Sequence, residues 1–255
     1  MPCRREFQHL LLGLLGSPLL AGAAESQQGQ GVLQGFTHEL PPLSHQDTGG
    51  LSGLFIELLR EMLPRLNLQI NLEMQPLLRA QQSLSENPLG LLFPYARMAE
   101  RESLYRWVGP VLPRRVLIYR LAQRRDIRFQ DLQHLNGLRL GAKKGTATLS
   151  QLQALGLRVG KELELGSDYL GVLRMLLAQR MELMVMNDTA ALWSLQQLQL
   201  PPDTLKVVGE FDRSTSYWFA LNPNGPPWLA QSLQQTLDGL RAQGRLEALR
   251  TKYGL

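Results

Sequence analysis

The stretch "GLFIELLREMLPRLNLQINLEMQPLLRAQQSLSENPLGLLFPY", Gly53–Tyr95, decides the fold. Its first part has apolar residues at helical spacing with Glu57, Arg60 and Glu61 turned outward, which predicts an amphipathic helix. "LQINLEM", Leu68–Met74, alternates residue by residue, the period of a half-buried strand. "PLLRAQQSL" predicts a short helix opened by Pro76, at a first-turn position where proline's missing N–H is tolerated. "LGLLFPY", Leu89–Tyr95, predicts a buried strand ended by Pro94. With "VLQGF", Val32–Phe36, as the strand before them, these elements make a βαβαβ unit and predict a mostly parallel sheet with right-handed crossovers.

Working outward, the same alternation continues. Strands are expected at "RVLIYRLA" (Arg115–Ala122), "LRLGA" (Leu138–Ala142), "ELMVMN" (Glu182–Asn187), "TLKVVGE" (Thr204–Glu210) and "STSYWFALN" (Ser214–Asn222). Helices are expected at "FQDLQHLNG" (Phe129–Gly137), from about Thr146, over "SDYLGVLRMLLAQR" with Ser167 as N-cap, and from about Asp188. The chain closes with one or two helices broken near Gly244. This is α/β organisation in two lobes. The C-terminal helices have no natural place in the second lobe, so the chain is expected to cross over near Pro113 and to return near Ser214. That assigns residues 31–115 and 214–255 to lobe 1 and residues 116–213 to lobe 2, with two extended crossings as a hinge.

The N-terminus stands apart. "MPCRREFQH" is a basic lead, "LLLGLLGSPLLAG" an apolar core too short for a membrane anchor, and Ala21 and Ala23 give an A-x-A spacing. Residues 1–23 therefore read as a cleavable signal peptide and residues 24–30 as a polar linker, which implies export to the periplasm. The single cysteine, Cys3, lies in that signal, so a disulfide framework, a cysteine nucleophile and a thiolate metal site are excluded for the mature chain. The formal charge is +5 over 255 residues, but lysine and arginine are scattered and aromatics make up only 7%, which argues against a nucleic-acid partner.

Three stretches could carry chemistry. In "GAKKGT" only three residues separate Gly141 from Gly145, and Lys143 and Lys144 precede the second glycine, so the phosphate-loop pattern fails. A strand–turn–helix junction still gathers N–H groups for a smaller anion such as a carboxylate, with Gly145, Thr146 and Lys143 as candidates; a plain tight turn with solvated lysines is the competing reading. "PYARMAERESLYRWVGP" follows a buried strand, where open α/β sheets place ligands. Arg97 and Arg101 are four apart there, and a helical turn would aim both one way; surface solvation is the alternative. In "MVMNDTAAL", Asn187 and Asp188 sit where a strand gives way to a helix, so Asp188 is either an N-cap or an acceptor for an ammonium group. No H-E-x-x-H, no G-x-S-x-G and no paired histidines occur, so neither a catalytic residue, a metal ligand nor a cofactor is assigned.

Taken together, "ELPPLS", "GGLSGLFIELLREML", "ARMAERESLYRWVGPVL", "LRLGAKKGTAT", "RMELMVMNDT" and "LRAQGRLEALRTKYG" resemble, in order and spacing, the bacterial extracellular solute-binding proteins of family 3, the periplasmic components of amino-acid ABC transporters. The resemblance covers about Val32 to Tyr253. It implies the two-lobed type II periplasmic-binding-protein fold, an amino acid or other small carboxylate as ligand, and a membrane permease as partner. It further implies that Arg101 takes a ligand carboxylate, that Gly145 and Thr146 donate to the same group, that Lys143 adds a contact, and that Asp188 or Asn187 takes an amino group. Ala96 is carried over as a ligand-binding position. The chain departs from the family pattern at Met98, Ala96 and Pro94, and Leu40 stands where an aromatic often stacks on the ligand. Two other functions fit the same fold: a dehydratase-type enzyme with a general acid in the cleft, and a regulatory or interaction module without a solute.

Overall fold

The computed structural model describes residues 32–255; the expected signal peptide and linker lie outside the described residues. In chain order the elements are β1 (Val32–Thr37), a hairpin of β2 (His45–Asp47) and β3 (Gly50–Ser52), α1 (Leu54–Met62), β4 (Gln69–Met74), α2 (Leu77–Glu86), β5 (Gly90–Ala96), β6 (Arg106–Leu121), β7 (Leu140–Lys143), α3 (Ala147–Ala154), β8 (Leu163–Gly166), α4 (Tyr169–Leu177), β9 (Leu183–Asn187), α5 (Asp188–Gln197), β10 (Leu205–Leu221), α6 (Pro227–Ala242) and α7 (Arg245–Lys252). Eight strands form one sheet in the order β4-β1-β5-β10-β6-β9-β7-β8. β1 pairs in parallel with β4 and β5, and β7 in parallel with β8 and β9. Between these two parallel halves, β10 and β6 run antiparallel to each other and to their outer neighbours. Two α/β lobes thus share two long central strands.

The βαβαβ start forms as its periodicity requires. α1 buries Leu54, Phe55, Leu58, Leu59 and Met62, while β4, at the sheet edge, alternates exposed and half-buried residues. Phe55, Phe93 and Phe219, all at most 1% exposed, make the centre of lobe 1, with the Phe219 ring centroid 4.9 Å from Phe55 and 5.5 Å from Phe93. Because Phe219 lies on β10, the returning strand closes this core. α6 adds Leu229, Leu233, Leu237 and Leu240 on one stripe, and α7 docks on α1 through Arg245–Glu61 at 2.7 Å and Lys252–Glu57 at 2.8 Å. The lobe 2 core gathers Val116, Ile118, Leu140, Leu152, Leu163 and Leu183.

Three local readings are corrected. The helix expected over Phe129–Gly137 is absent: the Asp131 carboxylate accepts from the N–H groups of Gln133 and His134, and Asn136 and Gly137 adopt positive φ, so the segment turns instead of coiling. The strands expected at Thr204–Glu210 and Ser214–Asn222 are one 17-residue strand, because β6 pairs with it throughout, with register shifts absorbing the bend. The N-cap of α4 is Asp168, not Ser167; its carboxylate accepts from Gly171 N–H at 2.6 Å. The β2–β3 hairpin has no periodicity long enough to announce it.

Phe55→Ala should lower stability by about 3–5 kcal/mol, because the aromatic trio cannot collapse into the space. Urea denaturation should show a lower midpoint at an unchanged slope.

Candidate functional site

A cavity of about 420 Å³ opens between the lobes beside the two central strands. Arg101, Ala96, Lys143, Gly145, Thr146 and Asn187 all line it; Asp188 is not among its lining residues.

On the lobe 1 side, β5 ends at Ala96 and a 3₁₀ turn, Ala99–Leu104, carries Arg101. The Arg101 guanidinium lies 4.6 Å from the Tyr95 ring centroid and donates weakly to the Ala96 carbonyl at 3.4 Å. Among the described residues no carboxylate pairs with it. Arg97 does not join it at the cavity. The 3₁₀ turn begins after Arg97, so the four-residue spacing never becomes a helical face. Arg97 instead pairs with Glu102 and stacks 4.4 Å from the Trp218 centroid.

On the lobe 2 side, β7 delivers Lys143, and Gly145, with φ of 71°, makes the left-handed turn into α3. Thr146 is the N-cap: its hydroxyl accepts from Leu149 N–H at 3.2 Å and donates to the Lys143 carbonyl at 3.0 Å. With the hydroxyl committed, what the turn offers a ligand is the first N–H groups of α3, which have no intrahelical acceptor and sit at the positive end of the helix. Lys143 Nζ reaches across the cleft to the main-chain carbonyl of Glu39 at 2.9 Å and lies 4.5 Å from the Tyr169 ring centroid. Burial lowers the Lys143 pKa from the usual ammonium range, against the pull of Glu39 and Asp168.

Several wall residues carry no sequence motif. Arg114 and Arg115 are neighbours in a strand and so point to opposite faces. Arg114 faces in: it is 3% exposed, pairs with Asp212 on β10 and donates to Thr148 Oγ1 at 3.1 Å, joining both central strands to α3. Arg115 faces out and lies 3.5 Å from Asp188, whose other oxygen accepts from Thr189 N–H at 2.7 Å. Asp188 is therefore engaged away from the cavity, and burial raises its pKa. Asn187 is buried and donates to the Tyr217 hydroxyl, itself buried and pushed up to about 12 by desolvation. His38 Nε2 sits 2.9 Å from the Pro94 carbonyl, which requires Nε2–H in the neutral ring; burial lowers its pKa to about 4. Glu39 is raised by burial, with Lys143 opposing the shift. Strand alternation could have separated Arg114 from Arg115; nothing in the sequence singles out His38, Glu39, Tyr169 or Tyr217. Among the described residues no group of three or more His, Cys, Asp or Glu is placed to hold a metal ion, and no helix is long and apolar enough to cross a membrane.

No protein-family model matches the chain, and no curated protein matches it. Solved structures do. An ancestral arginine-binding protein bound to arginine superposes with a TM-score of 0.73 at 18% identity, covering 88% of this chain and 98% of that one. The chain has the fold of the two-lobed periplasmic binding proteins. A histidine kinase sensor domain with similarity to periplasmic binding proteins gives 0.73 at 20% identity over 87% of this chain and 95% of that one. An ancestral amino acid-binding protein that is a precursor of cyclohexadienyl dehydratase gives 0.72 at 16% identity over 88% and 95%. At these identities the likeness is one of fold, the fold that the resemblance of the sequence motifs implied.

The depressed His38 pKa has a sign. Between pH 6.5 and about 4 the unfolded histidine binds a proton that the folded one does not, so stability falls as pH falls through that window. His38→Gln keeps an N–H donor for Pro94 and cannot titrate. Unfolding free energies from urea titrations between pH 7 and 4 should fall less steeply in the variant, with a difference of about 3 kcal/mol at the acid end.

Proposed function

We propose that this chain captures a small carboxylate-bearing solute, an amino acid or a related acid, between its lobes for transport or sensing. One observation carries the reading: Arg101 from lobe 1, with no carboxylate partner of its own, and the N-terminal turn of α3 with Lys143 from lobe 2 line a single cavity. Cationic donors with no carboxylate partner among the described residues, beside helix N–H groups with no intrahelical acceptor, favour an anion. A carboxylate held by both sides binds the closed arrangement better than the open one, and that differential affinity drives hinge closure about β6 and β10. In this reading Arg101 is the bidentate anchor, Gly145 and Thr146 present the helix N–H groups, and Lys143, Asn187 and Ala96 complete the wall. Asp188 acts through its neighbours from outside the wall. The expected signal peptide puts the protein in the periplasm, where a membrane permease or receptor would recognise the closed form.

Glu39 supports a second reading. A carboxyl group raised by burial inside a ligand cleft suits a general acid. Turnover of a cyclic carboxylate that is lost in Glu39→Gln, with binding kept, would establish a dehydratase-type enzyme.

The primary reading is tested by thermal-shift titration with amino acids, organic acids and polyamines. Stabilisation should grow with the concentration of a carboxylate ligand. Arg101→Ala should weaken that ligand roughly ten- to a hundredfold, the worth of one charge-assisted contact of about 1.5–3 kcal/mol. Unchanged affinity in the variant removes Arg101 from the site.

A further inference from the structure

The wall of the cleft carries charge of both signs in unequal number. Arg101, Lys143 and Lys144 line it, and among the described residues none of the three is ion-paired with a carboxylate. Arg114 is different, because Asp212 neutralises it. Among the described residues Glu39 is the one carboxylate that lines the cavity, and the charge of Lys143 opposes the effect of its burial. Asp188, the acid that sequence position would bring closest, is held by Arg115 and its own helix. Asn187 stands in the wall instead, a neutral side chain that donates one amide N–H to the Tyr217 hydroxyl. The Tyr169 ring, also in the wall, lies 4.5 Å from Lys143 Nζ.

Resting on the carboxylate reading above, we propose that the ligand is a small organic acid with two anionic groups and no ammonium. Its first carboxylate lies at Arg101 and the α3 turn. Its second takes Lys143, which exchanges the neutral Glu39 carbonyl for a charged acceptor. A ligand ammonium would enter beside Arg101, Lys143 and Lys144 with one wall carboxylate, Glu39, to receive it; Asp168, the other acid acting on Lys143, is engaged as the N-cap of α4 by Gly171 and Ser167. Like-charge placement of this kind discriminates by repulsion as much as by attraction, and an ammonium taken from water without a partner of its own is penalised further.

Three ligands isolate the two groups: L-glutamate differs from glutarate by its ammonium, and pentanoate differs from glutarate by lacking one carboxylate. Calorimetric titration at pH 7 should show glutarate binding at least tenfold more tightly than either. Lys143→Met should cost glutarate about tenfold more than it costs pentanoate, and Glu39→Gln, which removes a like charge from the wall, should tighten glutarate, with circular dichroism melts confirming that both variants fold. L-Glutamate binding as tightly as glutarate, or weakening in Glu39→Gln, overturns the proposal and assigns Glu39 to the ammonium, while the carboxylate reading stands. A monocarboxylate that binds in an Arg101-dependent way when glutarate does not also overturns the proposal and leaves the carboxylate reading standing. Failure of every carboxylate to bind the folded protein overturns both.

Discussion

Everything in this molecule hangs on the pairing of β6 with β10. The two strands are hydrogen-bonded antiparallel from Leu205 opposite Leu121 to Leu221 opposite Arg106, and they belong to both lobes at once. A chain that enters lobe 2 on one strand and leaves it on the adjacent one can keep a continuous sheet and still flex where only two strands connect the halves. At that crossing, opposite Thr215, sits Arg114, a buried charge tied to Asp212 on the partner strand and to Thr148 at the start of α3. Breaking such a buried pair strands a charge away from water, so the crossing geometry is held firmly where the cleft begins.

The cleft takes its character from what surrounds that crossing. Strand ends and helix starts from both lobes converge on it, as the connectivity of open α/β sheets dictates. The result is a wall with cationic groups and helix N–H groups on offer and few carboxylates to quench them. The Lys143–Glu39 bond spans the gap: it is a neutral-acceptor contact, weaker than one to a carboxylate, and so can be exchanged for a ligand. Its lowered Lys143 pKa reflects the same desolvation that would strengthen a bound anion.

Much of the fold is legible in the sequence because two periods, 2.0 and 3.6, are written into long enough runs. "LQINLEM" and the α1 segment state their conformations outright, and β1, β5, β7 and β9 follow from apolar runs bounded by turns. The failures are of another kind. The Phe129–Gly137 segment has helix-like spacing, yet the Asp131 side chain offers its backbone N–H groups a closer acceptor. Ser167 and Asp168 are both good caps, and only the path of the chain selects Asp168. Arg97 and Arg101 are separated by the residue at which a 3₁₀ turn begins, which no spacing rule marks.

By itself the sequence determined the α/β class, the order of the elements, the basic turn at Gly145–Thr146 and the arginine after β5, since each depends on residues close together in the chain. Tertiary structure decided which of these meet. It turned Arg101 toward the cavity and Arg97 away, drew Asp188 to Arg115, and brought Glu39, Arg114, Tyr169 and Tyr217 from four separate segments into one wall. Burial and charge balance are properties of that convergence. They arise from desolvation by residues far apart in the chain, so periodicity and spacing carry no trace of them.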